Sequence, residues 1–139
     1  MAKAQITFAL DRPPEVVFDY IADVRNESKW QKDMLGVEKI GDGPVGEGTE
    51  FETNYRLFGR MRLVLEDVDR PRHLVFVGTG PRMRMRFVMD VAAQEGGSRV
   101  TFALDMRPRG LLLPLGPLLK LGLPRELAKR PDQFRAALS

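Results

Sequence analysis

The sequence predicts an α+β fold. A curved antiparallel sheet of about seven strands packs on a C-terminal helix, with two short helices after the first strand. Three observations carry this. The chain opens on an alternating run, Ile6-Thr7-Phe8-Ala9-Leu10, that passes directly into a helical pattern. A series of alternating runs follows, separated by glycine-rich turns. The chain closes on apolar residues at helical spacing, Leu119, Leu123, Leu127, Phe134 and Leu138. Consecutive strands with short turns form antiparallel sheets with one face buried, and an amphipathic helix supplies the cover such a face needs.

Each element has its own signal. After the first strand, Pro13-Pro14-Glu15 opens a helix that places apolar side chains at 16, 17, 20, 21 and 24. Asp23 to Lys32 reads as a second short helical segment or loop, with the single tryptophan at Trp30. Leu35 to Ile40 reads as a strand, and Gly41 to Gly48 is turn chemistry. Phe51, Thr53, Tyr55 and Leu57 then share one strand face, and Gly59 turns the chain. Met61, Leu63 and Leu65 alternate with Arg62, Val64 and Glu66, and Asp69-Arg70-Pro71-Arg72 makes the next turn. Leu74 to Val77 is a strand that Gly78-Thr79-Gly80-Pro81 breaks. Met83, Met85, Phe87, Met89 and Val91 face one way, and Arg82, Arg84, Arg86, Val88 and Asp90 the other. Gly96-Gly97 is a hairpin turn, and Val100, Phe102, Leu104 and Met106 point inward from the last strand. The closing helix, from about Pro117 to Leu138, carries prolines at 117, 124 and 131. The first fits a helix start, whereas the other two predict a bent or two-piece helix, because each lacks an N–H and crowds the carbonyl four residues back.

The bulk properties narrow the function. A chain of 139 residues predicts one domain, residues 1–139, with a real core. The absence of cysteine excludes a disulfide framework, a thiolate metal site and a cysteine nucleophile. The net charge of +3 is mild, and no zinc-finger, helix-turn-helix or RNP-type pattern accompanies it, so no nucleic-acid partner is expected. No long apolar run follows the N-terminus, which makes a cytoplasmic location the expectation. Leu111 to Pro124 is the most apolar stretch; it is too short for a membrane span, broken by proline, glycine and lysine, and expected to pack on the domain. Membrane contact there is the less favoured reading.

A set of ordered motifs runs along the chain: Ile6, Pro13/Pro14, Glu15, Val16-Val17-Phe18, Ile21, Asp23 and Trp30; Val37; Val45-Gly46-x-Gly48-Thr49; Val68-Asp69-x-Pro71-Arg72-x-Leu74; and Gly96-Gly97-Ser98-x-Val100-Thr101 before the last helix. In order and spacing this set resembles the polyketide cyclase/dehydrase-like branch of the START-like (SRPBCC) superfamily. The resemblance covers almost the whole chain. It implies the helix-grip fold, shared with birch-pollen-type allergens and lipid-transfer domains, and a deep, largely apolar cavity between sheet and helix. It supplies no universal catalytic residue. The proline-interrupted last helix departs from the family pattern.

The expected ligand is therefore a small hydrophobic molecule, such as a lipid, polyketide or isoprenoid. Its expected lining is Phe51, Thr53, Tyr55, Met83, Met85, Phe87, Met89, Phe102, Leu104, Leu119 and Leu123. The methionine-rich stripe suits ligands of varied shape, though the same stripe also reads as an ordinary packed sheet face. An enzyme of the aromatase/cyclase or dehydratase type is the alternative. Tyr55 is its candidate proton donor, and Asp33, Asp67 and Asp105 are candidate bases if one points inward. A third reading is an interaction module using the arginine-rich strand face or the Leu/Pro segment. The lone His73 is expected exposed in its turn. Without a second histidine or a cysteine, a Ser/His/Asp or transition-metal site is not expected, and neither is a cofactor. The chain is expected to be a monomer or homodimer.

Overall fold

The alternating runs become one sheet. The computed structural model describes residues 2–138, and among these it contains seven strands: β1 (Ala2–Leu10), β2 (Met34–Ile40), β3 (Glu50–Tyr55), β4 (Gly59–Asp69), β5 (His73–Thr79), β6 (Met83–Gln94) and β7 (Gly97–Pro108). Every neighbouring pair is antiparallel, and the order across the sheet is β1-β7-β6-β5-β4-β3-β2. The first strand thus closes beside the last, and α1 (Pro14–Ala22) with the 3-10 helix Val24–Lys29 carries the chain to the far edge. A second 3-10 helix (Gly110–Leu115), α2 (Gly116–Leu127) and α3 (Arg130–Leu138) complete the chain.

Period two decides which side chains meet the helices. Phe51, Thr53 and Tyr55 on β3, Met61, Leu63 and Leu65 on β4, and Val100, Phe102 and Met106 on β7 are all buried on the concave face. The helix α1 starts on Pro13 and Pro14, which need no N–H there, and Glu15 lies in its first turn beside the positive end of the dipole. It buries Val17, Phe18 and Ala22 over β6 and β7 and leaves Val16 exposed, so the inward stripe begins one residue later than the spacing predicts. Leu57 also departs from its predicted face. It falls in the turn after β3, where pairing has ended, and is exposed.

The last helix is in two pieces, as its prolines predict. Pro117 sits in the first turn of α2, and Pro124 is accommodated inside it. The break comes at Ala128 and Lys129, where the Lys129 amide reaches back to the Glu126 carbonyl and tightens the turn. Pro131 cannot donate to Leu127, yet it fits the first turn of the new helix α3. Both pieces pack along β1.

His73 opens β5 and is only 19 % exposed, against the expectation of an exposed turn residue. The ladder between β4 and β5 is irregular from Glu66 to Asp69, and Asp67 has a φ of 51°. There Asp67 lies 3.2 Å from His73 Nε2, while Asp90 lies 2.7 Å from Nδ1. Two carboxylates, one of them from the β6 residue paired with His73, thus flank the ring.

The corner between β1 and α1 rests on one glycine. Gly97 has a φ of 154°, and a Cβ there would lie 2.1 Å from the Leu10 carbonyl oxygen. Next to it the Ser98 hydroxyl donates to the Arg12 carbonyl at 2.6 Å. A Gly97→Ala substitution is expected to cost roughly 3 kcal/mol or more in urea unfolding, because backbone has to move. Gly96→Ala, at a φ of 80° but with open space around it, is expected to cost only about 1 kcal/mol. Equal costs at the two positions would contradict this packing.

Candidate functional site

Between the concave face and the helices lies a cavity of about 340 Å³. Its apolar wall comes from every layer: Met61 and Leu63 on β4, Phe76 on β5, Met85 and Phe87 on β6, Phe102, Leu104 and Met106 on β7, and Leu119, Leu123 and Leu127 on α2. The wall's helix side is pinned by Phe134 of α3. Its ring meets Trp30 at 5.1 Å, Phe102 at 5.4 Å, Tyr20 at 6.3 Å and Phe8 at 6.4 Å, so the sheet, α1, the first 3-10 helix and α3 share one aromatic cluster.

One end of the cavity is polar. Glu27 lies on the 3-10 helix and Trp30 caps its C-terminus three residues on, so the period of three places them on the same side. Asp23 starts that helix by accepting from the Arg25 amide at 3.1 Å, and its carboxylate is held below its ordinary range by the Arg25 guanidinium. The Tyr55 hydroxyl donates to Glu27 Oε2 at 3.1 Å. The Arg130 guanidinium lies 4.8 Å over the Trp30 ring and donates to the Gln133 side-chain oxygen at 2.9 Å. The Trp30 Nε1–H is buried and has no hydrogen-bond partner among the described residues.

Desolvation governs the titration of this group. Burial pushes the Glu27 carboxyl up to about 7, against the opposing pull of the Tyr55 hydrogen bond and the Arg130 charge. Burial, reinforced by the Glu27 charge, raises the Tyr55 phenol well above its ordinary value. Burial also draws the Arg130 guanidinium down, opposed by the carboxylates of Glu27 and Glu126. A carboxyl that titrates near neutral pH can donate a proton in its acid form and accept one as the carboxylate, an exchange an exposed glutamate does not perform efficiently.

Of the residues singled out in the sequence, Tyr55, Met85, Phe87, Phe102, Leu104, Leu119 and Leu123 come together on the cavity wall. Phe51, Thr53, Met83 and Met89 do not. They are on the predicted strand face but fully covered, so the stripe is cavity wall at its centre and packed core at its ends. Thr53 donates to the Met61 carbonyl at 3.2 Å and supports Tyr55 from behind. None of the three aspartates takes the interior position. Asp33 is exposed at the rim, Asp67 pairs with His73, and Asp105 lies 3.8 Å from Arg107, with one buried carboxylate oxygen unpartnered. The interior carboxylate is Glu27, and its cationic neighbour is Arg130; the sequence reading singled out neither. Of the outer arginines, Arg62 bridges Glu50 and Glu52. Among the described residues no cluster of three or more histidines and carboxylates is placed to hold a metal, and no helix is long and apolar enough to cross a membrane.

Comparison with known proteins agrees with this architecture. A family model described as polyketide cyclase/dehydrase and lipid transport matches residues 1–139. A search of curated proteins finds no match. Among solved structures, a START superfamily protein from Mycobacterium smegmatis superposes with a TM-score of 0.79 at 9 % identity, covering 98 % of this chain and 96 % of that one. Ara h 8.0201 superposes with a TM-score of 0.66 at 14 % identity, covering 97 % and 92 %. DynU16, a putative protein in the dynemicin biosynthetic locus, gives 0.67 at 11 % identity over 99 % of this chain and 47 % of that one. At these identities the structural likenesses speak to the fold, and the family model speaks to descent. The chain belongs to the family described as polyketide cyclase/dehydrase and lipid transport, and its helix-grip fold is the one these solved structures share.

Proposed function

We infer that the protein binds a small hydrophobic molecule in this cavity, with the ligand's one polar end at Glu27, Tyr55, Trp30 and Arg130. The observation that carries this reading is the wall itself: apolar over most of its surface, with polar groups gathered at one end. Such a lining draws affinity from apolar burial, at roughly 25 cal/mol per Å² before association costs, and orientation from the few polar contacts. The unpartnered Trp30 N–H favours a ligand with a hydrogen-bond acceptor at that end. Met61 and Met85 give the wall some freedom to fit different shapes.

Uptake of a neutral lipophilic fluorophore, N-phenylnaphthylamine, tests this. The protein is expected to enhance its emission saturably, and Leu104→Trp, which fills the cavity, is expected to weaken binding about tenfold or more by excluding the probe. Equal binding by a folded Leu104→Trp variant would overturn the reading, as would no uptake by the parent protein.

A specific contact favours a second reading, an enzyme of the cyclase or dehydratase type. The Glu27–Tyr55 pair places a carboxyl poised near neutral pH and a phenol inside a water-poor cavity, as general acid–base chemistry on a polyketide-like substrate requires. Arg130 is then suited to stabilise charge developing on a substrate oxygen. In this reading Glu27→Gln and Tyr55→Phe each lower turnover of a poly-β-ketone substrate by roughly a hundredfold or more. Unchanged turnover in both variants would remove the pair from catalysis.

A further inference from the structure

The α2 side of the molecule carries an apolar fringe that the cavity does not use. Leu111, Leu113, Leu118 and Leu121 are 79 %, 63 %, 63 % and 69 % exposed, while their neighbours Leu112 and Leu123 are buried. This segment is tied to two other loops at the same end of the sheet. The Arg109 amide donates to the Arg82 carbonyl at 2.8 Å, and its guanidinium to the Gly80 carbonyl at 3.3 Å. Arg82 in turn donates to the carbonyl of Leu57, which is itself 47 % exposed. Leu57, Phe58, Leu119 and Gly122 also belong to the cavity wall, so the fringe borders the cavity.

Along the leucine-bearing segment itself the charge has one sign. From Met106 to Arg125 the chain carries Arg107, Arg109, Lys120 and Arg125 and no acidic residue. All four are exposed, and among the described residues only Arg107 has a carboxylate oxygen within 4 Å, that of Asp105 at 3.8 Å. The residue after Arg125, Glu126, is acidic and exposed but is paired with Lys129 at 3.1 Å, and Asp33 lies on the cavity rim. Separate leucines on a 3-10 turn and a helix, with a cationic border and no aromatic anchor, differ from a protein-binding hot spot. They match a surface that sinks aliphatic side chains among acyl chains while its cations meet lipid phosphates.

We propose that the Leu111–Leu121 face docks on an anionic lipid bilayer and brings the cavity rim against the membrane surface. Apolar ligand then passes between bilayer and cavity without crossing water. The docking surface is separate from the binding site and does not depend on what the cavity holds.

Co-sedimentation with vesicles tests the proposal. Phosphatidylcholine vesicles containing about one third phosphatidylglycerol are expected to pellet the protein at low salt, and pure phosphatidylcholine vesicles far less. Raising the salt to about 0.5 M is expected to lower the partition coefficient on anionic vesicles about tenfold. Lys120→Gln with Arg125→Gln is expected to lower it about 25-fold, near fivefold for each lost charge. Leu111→Ser with Leu118→Ser is expected to lower it tenfold or more, because the inserted apolar area is lost. None of these positions lines the cavity, so N-phenylnaphthylamine uptake is expected to stay at the parent level in every variant. Absence of anionic-vesicle binding at low salt would overturn the proposal. So would leucine variants that pellet like the parent, or a dimer in sedimentation velocity that the leucine changes dissolve while vesicles go unbound. Vesicle binding without any probe uptake would support docking and count against the cavity reading alone.

Discussion

Glu27→Gln is expected to stabilise the protein by roughly 3 kcal/mol at about pH 8 and to leave it nearly unchanged at about pH 4. The buried carboxyl titrates at about 7 in the folded chain against an ordinary 4.5. The folded state therefore binds the Glu27 proton more tightly than the unfolded state does. This contribution favours the fold fully below the unfolded value and is lost as the pH rises through the folded one. Above that point the native protein holds an ionised carboxylate in a desolvated site, which glutamine avoids while still accepting from Tyr55. Urea unfolding of both proteins across this range gives the measurement: two stability curves that meet in acid and separate between about pH 4.5 and pH 7. Parallel curves would mean that Glu27 is solvated. The expected gain implies that the native sequence holds this acid in place at a cost in stability, as is common where a group serves binding or catalysis.

Phe134→Ala is expected to cost about 4 kcal/mol, the largest loss from any single truncation considered for this chain. The ring is buried and touches four others, from Phe8, Tyr20, Trp30 and Phe102. Each edge or stacked contact adds about 0.5–1.5 kcal/mol beyond area burial. A helix as short as α3, nine residues long, does not persist alone in water, so it depends on that anchor. The single tryptophan supplies a direct readout, because Phe134 covers Trp30. Its emission should shift to the red in the variant even under folding conditions. Phe134→Leu retains most of the volume and is expected to cost about 2 kcal/mol. A loss below about 1 kcal/mol for the alanine variant would show that α3 is held by something else.

Much of the fold was legible because a single periodicity carries it. On β3, β4, β6 and β7 every second residue is apolar, and glycine or proline marks nearly every turn, so strand faces and connections followed from spacing. The site was less legible, for two reasons. First, a stripe such as Met83-Met85-Phe87-Met89 states which face is inward but not where that face meets a void. Only the placement of α1, α2 and α3 makes Met85 and Phe87 wall and leaves Met83 and Met89 as packed core. Second, the charged members sit where helical turns cannot be phased from composition. Arg25, Asn26, Glu27, Ser28 and Lys29 are all polar, and a 3-10 period is needed to see that Glu27 follows Trp30 inward. Arg130 did leave a signal. It extends the stripe of Leu119, Leu123 and Leu127 toward Phe134, on the same cavity-facing side as Glu126. The break at Ala128 and Lys129 changes the phase of the stripe at that position, which is why it did not stand out.

The sheet does not close into a barrel, so β1 and β2 each keep an unpaired edge. An open edge can recruit a strand from another copy and begin aggregation. Along β1 that hazard is met by α2 and α3, and Arg135 donates to the Ala9 carbonyl on that edge strand at 3.1 Å. Along β2 it is met by an irregular register between Met34 and Gly36 and by the charges of Glu38 and Lys39. The C-terminal helices thus have a second duty besides covering the cavity. They shield the β1 edge, and a chain shortened before Arg130 is expected to expose a template for self-association along its first strand.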